Sequence, residues 1–112
     1  MPLKLKKPMQ PEAKTNVQEK HKGTVVSELN DSEKVEVPDE VVSKKATSDP
    51  LCEVGVEASY TMNLGDYNSV RVQVSLKVQC QHAEIDQVFD YTKEWTDTKM
   101  QTMIEEIEAQ KS

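Results

Sequence analysis

Aromatic residues and glycine are scarce in this chain, proline is confined to one part of it, and where each is missing is informative. Its 112 residues include one Phe, one Trp, three Tyr and three Gly. Residues 1–51 hold no Phe, Tyr, Trp or Ile, yet contain all five prolines, at Pro2, Pro8, Pro11, Pro38 and Pro50. Such a segment cannot bury enough apolar surface to offset roughly 1–2 kcal/mol of backbone entropy per ordered residue. Residues 1–51 are therefore expected to be a disordered, Lys/Pro-containing tail. Its short runs Gly23-Thr24-Val25-Val26 and Lys34-Val35-Glu36-Val37 can pair only where a partner offers a strand edge. Three glycines leave no Gly-rich phosphate loop. No window approaches the ~18 apolar residues of a membrane span, and Met1-Pro2-Leu3-Lys4 lacks a secretory h-region. A cytoplasmic protein without membrane contact is expected.

Chemistry-bearing residues are equally few. His21 falls in the tail, and His82 lies beside Cys80. Cys52, Cys80 and His82 make three soft ligands where a structural zinc site needs four, and no CxxC pair exists. Neither a metal nor another cofactor is expected, and no catalytic residue is assigned. The reading is non-enzymatic.

Charge is divided unevenly. Residues 1–51 are neutral overall, although Met1–Lys22 carries six Lys, including Lys4, Lys6 and Lys7, against Glu12 and Glu19. Residues 52–112 supply the whole net charge of −6. A basic start and an acidic end attract each other or two different partners, and charge runs also serve simply as solvated tails.

What the second part does contain is strict alternation. Val54, Val56, Ala58, Tyr60, Met62 and Leu64 share one parity, and after Gly65-Asp66-Tyr67-Asn68-Ser69 the series resumes with Val70, Val72, Val74, Leu76, Val78 and Cys80. A period of two marks half-buried strands, and the Gly-Asp and Asn-Ser chemistry between them marks a turn. If Met62 pairs with Val70, Cys52 and Cys80 face each other at the open end, close enough for a disulfide; a reducing cytosol argues against one, and they read as two thiols filling space. From Ile85 the spacing becomes three and four, through Val88, Phe89, Thr92, Trp95, Thr96, Lys99, Met100, Met103, Ile104 and Ile107. That is an amphipathic helix over about Ala83–Ala109, with Glu84 and Asp86 at the favourable end of its dipole.

Residues 52–112 thus form a small α+β domain, a β-β-α unit in which an antiparallel hairpin packs on one long helix. About 27 helical residues span roughly 40 Å, and a ten-residue strand about 34 Å. The helix end, with Met100, Met103, Ile104 and Ile107, is expected to overhang and to form a homo-oligomer interface.

Two surfaces remain. The polar face of the hairpin carries Arg71, Gln73, Lys77 and Gln79, cationic and amide side chains of the kind that track phosphates, and Tyr67 at the turn can stack on a base. A plain solvent face, with Glu57 paired to Lys77, is the alternative. The outer helix face carries Asp90, Glu94 and Asp97 among eight acids, a negative rod suited to mimic DNA before a basic host protein, or a solvated face.

The run from Tyr60 to Leu76, with Asn63-Leu64-Gly65-Asp66-Tyr67-Asn68-Ser69-Val70 at its turn, followed by Cys80 and a helix containing Lys93-Glu94-Trp95, resembles a group of small phage and prophage proteins. In that group an NLG-(N/D)-Y-x-S-V hairpin turn precedes an acidic helix, and the resemblance covers about residues 52–108. It implies a phage origin and a place among DNA-metabolism or host-takeover genes. The functional expectation is a phage accessory protein in the host cytoplasm that binds single-stranded DNA or assists replication and recombination. The alternative is an acidic inhibitor of a host protein.

Overall fold

The computed structural model describes Leu5 and residues 7–111; Lys4 and Lys6 of the basic stretch lie outside the described residues. Four strands and one long helix make a two-layer α+β fold: β1 (Glu12–His21), β2 (Thr24–Lys34), β3 (Cys52–Gly65), β4 (Asn68–Cys80) and α1 (Ile85–Lys111). A single 3-10 turn, His82–Glu84, leads into α1. The strands form one antiparallel sheet in the order β2-β1-β4-β3.

The β3–β4 hairpin has the expected register. Met62 lies opposite Val70, and Cys52 opposite Cys80. The expected turn is also present, with Asp66 and Tyr67 both at positive φ. Two positive values in a two-residue loop match the right-handed twist of the flanking strands. Gly65, at φ +83°, absorbs the irregularity that sets Leu64 out of the ladder.

The tail expectation is corrected for residues 12–34, which form a second hairpin. Its β1 pairs with β4 over ten residues, from Glu12 opposite Lys77 to His21 opposite Asn68. The partner edge that those runs needed is β1 of the same chain, which lies between them and β4. Little apolar area is required, because Ala13 and Thr15 are buried on the helix side and the ladder satisfies the backbone. Every residue of β2 is exposed, so it is held by its ladder to β1.

Residues 35–43 also leave the disordered reading. Val35, Val37 and Val42 enter the core with Ala13, Val54, Leu76, Val78, Cys80 and Val88. This strap is tied to the start of α1: Glu84 accepts from the backbone N–H of Ser43 at 2.8 Å, and Gln87 Nε2 donates to the Val41 carbonyl at 2.6 Å. Glu84 also accepts from the Gln81 N–H at 3.0 Å, which caps the turn before the helix.

The expected overhang of α1 is absent. β3 runs for 14 residues, about 48 Å at the usual rise, which exceeds the roughly 40 Å of a 27-residue helix. Met100 is buried with Val70, Val72 and Val74, and Met103, Ile104 and Ile107 pack against that cluster within the chain.

Candidate nucleic-acid interface

A single helix covers a single face of the sheet, and the other face remains open. Directly opposed residues share a face, so the registers place the side chains of this outer face in rows across the strands. One row reads Glu28, Gln18, Arg71 and Thr61; the next reads Asn30, Asn16, Gln73 and Ser59. Further toward the open end lie Ser32, Lys14, Ser75 and Glu57, then Lys34, Glu12, Lys77 and Gly55. Toward the turns, Lys20 faces Ser69 and Ser69 faces Asn63. Apart from Val25 opposite Lys20, these rows are polar or glycine.

Arg71 and Lys77 are both exposed, and no ion pair among the described residues involves either. The suggested Glu57–Lys77 pair does not form: Lys77 lies opposite Gly55, and Glu57 accepts instead from Gln73 Nε2. Gln73 is thereby engaged within the face. Gln79 is engaged too, its Oε1 accepting from the Met9 N–H at 2.8 Å. Asn16 Nδ2 donates to Glu28 Oε1 at 2.9 Å and to Asn30 Oδ1. The hydrogen bond from Asn16, then that from Gln18, holds the Glu28 carboxyl below its ordinary pKa.

Tyr67 stands apart from the rest of the expected set. It is 87% exposed at the tip of the β3–β4 hairpin, with φ +64°. Its carbonyl accepts the N–H of Lys22 at 3.0 Å, which joins the two hairpin tips side by side. Between them lies a concavity of about 490 Å³ lined by Lys22, Gly23, Asn63, Tyr67, Asn68 and Ser69. The structure therefore brings Tyr67 together with Lys22, and Arg71 diagonally next to Lys20 on the outer face. Lys77 lies six residues from Arg71 along β4, about 20 Å away. Lys20 and Lys22 were missed by sequence reasoning because only the β1–β4 register carries them to the turn end.

On the opposite side of the molecule Asp90, Glu94 and Asp97 are exposed along α1, and none enters an ion pair among the described residues. No group of three or more potential metal-ligating side chains occurs among the described residues. No helix among them is long and apolar enough to cross a membrane. No family model matches the chain, and neither a curated protein nor a solved structure matches it.

Proposed function

We propose that this chain is a non-enzymatic phage accessory protein of the host cytoplasm that binds single-stranded DNA with its uncovered sheet face. The observation that carries the reading is the turn end of that face: Lys20 and Arg71 as diagonal neighbours, with Lys22 and the exposed Tyr67 ring beside them. Cations that hold phosphates and an aromatic that stacks on a base are the two elements of sequence-tolerant strand binding. The amides of the face add hydrogen-bonding groups, although Gln73 and Gln79 are partly engaged within the chain. A homo-oligomer joined through the exposed β2 edge extends the same face; the packing of Met103, Ile104 and Ile107 within the chain moves the expected interface away from the helix.

The test is anisotropy of a labelled oligothymidylate titrated with the protein at several salt concentrations. Changing Arg71 and Lys77 to Glu is expected to weaken binding and reduce the salt slope by about 0.7 per lost phosphate contact. Changing Asp90 and Asp97 to Asn and Glu94 to Gln is expected to leave binding equal or slightly tighter. Absence of salt-dependent binding by the wild type at low ionic strength rejects the reading.

One observation favours a second reading. The unpaired acids Asp90, Glu94 and Asp97 form an exposed negative row on the helix. An inhibitor that presents this row to a basic host protein requires the reverse pattern, loss on helix neutralisation and indifference at Arg71 and Lys77.

A further inference from the structure

Cys52 and Cys80 occupy the open end of the β3–β4 hairpin and are directly opposed in its register. Both are free thiols; Cys80 is completely buried and Cys52 half-buried. Opposed residues of an antiparallel pair have Cα separations of about 4.5–5.5 Å, inside the range that a disulfide spans. Cys80 also belongs to the core cluster that receives Val35, Val37 and Val42 of the strap and Val88 of α1. The pair thus sits where both hairpin strands, the strap and the helix start converge.

We infer that Cys52 and Cys80 are a reversible redox pair, which a low-molecular-weight disulfide closes into a cross-strand bond. The difference in exposure sets the order of events. The Cys52 thiol loses its proton, and the thiolate attacks one sulfur of the oxidant, RSSR. A mixed disulfide forms at Cys52, and RS⁻ leaves to take up a proton. Cys80 then loses its proton, and its thiolate attacks the Cys52 sulfur and displaces the second RS⁻, which is protonated in turn. Two protein thiols are oxidised, and one RSSR is reduced to two RSH. Burial, then the neighbouring Cys52 and Glu84, raises the Cys80 thiol above its ordinary pKa, which with its burial leaves the first attack to Cys52. The closed bond fixes the open end of an edge hairpin whose other end is already fixed by the Asp66–Tyr67 turn.

The experiment uses the full reduced chain with oxidised glutathione as probe, read by intact mass and by alkylation after unfolding in denaturant. Wild type is expected to lose two hydrogens per chain, retain no glutathione and become resistant to alkylation at both positions. Cys80→Ala is expected to stop at one glutathione on Cys52. Cys52→Ser is expected to gain neither adduct nor cross-link while folded. The wild-type mass alone decides the matter if either variant fails to fold. A wild-type chain that halts as the glutathione adduct, links only between chains or remains fully alkylatable overturns the pair.

Discussion

Tyr67 is where conformation and proposed function pull in opposite directions. A bulky side chain at φ +64° lies in the left-handed region, which costs a non-glycine residue on the order of 1 kcal/mol. The ring recovers none of that by burial, since it is almost fully exposed. Tyr67→Gly is therefore expected to raise stability by up to about 1 kcal/mol, the unfolded-state entropy of Gly offsetting part of the relief. The same change is expected to weaken oligothymidylate binding by about 1–3 kcal/mol if the ring stacks on a base. Thermal unfolding and anisotropy on one preparation read the two effects separately. A stabilised variant with unchanged binding would detach Tyr67 from the site.

The strands differ in how much of the fold rests on each. β1 is inserted between β2 and β4, whereas β2 has one neighbour and no buried residue. Proline removes a ladder donor and is tolerated chiefly at edges. Thr15→Pro, at a buried position in the middle of β1, is expected to unfold the whole sheet, with loss of the cooperative transition in circular dichroism. Leu29→Pro is expected to release β2 while β1, β3, β4 and α1 persist, seen as amide exchange confined to 24–34. The same contrast explains what was legible in the sequence. The β3–β4 register could be read because Val54 to Cys80 alternate almost without fault, and α1 because its apolar positions keep three- and four-residue spacing. The inner-face positions of β1 read Ala13, Thr15, Val17, Glu19 and His21, only two of them apolar, so its pattern is faint. β2 has no hydrophobic pattern to read, being wholly exposed. Val35 and Val37 alternate around Glu36, but two positions are too few to mark a core segment, and Val42 follows them on an aperiodic strap. Of the candidate site, Arg71, Lys77 and Tyr67 were visible in the hairpin, while Lys20 and Lys22 depended on a pairing between strands distant in sequence.

At the scale of the molecule, an elongated body of 62 × 27 × 18 Å carries a sheet with two free edges, β2 and β3. The edge at β2 is the more available: all eleven residues are exposed, and Val25, Val26 and Leu29 add apolar side chains, with Leu29 62% accessible. Unpaired strand edges of this kind invite a second copy. The irregularity opposite Glu19 and Lys20 breaks the register near Val26, which leaves Ser27–Lys34 as the regular part of the edge. Sedimentation across a concentration series distinguishes this interface from the helix. Leu29→Lys places a like charge in both copies and is expected to shift the protein to monomer without altering the unfolding of the monomer. Met103→Asp with Ile104→Asp instead puts carboxylates against the Val70, Val72 and Val74 cluster, and is expected to lower thermal stability at every concentration, including those where only monomer is present. Wild type that sediments as a monomer throughout, or an oligomer indifferent to Leu29→Lys, would remove β2 as the joining edge. In the first case the outer face acts as a single four-stranded platform, and the oligothymidylate length that saturates binding should not exceed what one sheet can span.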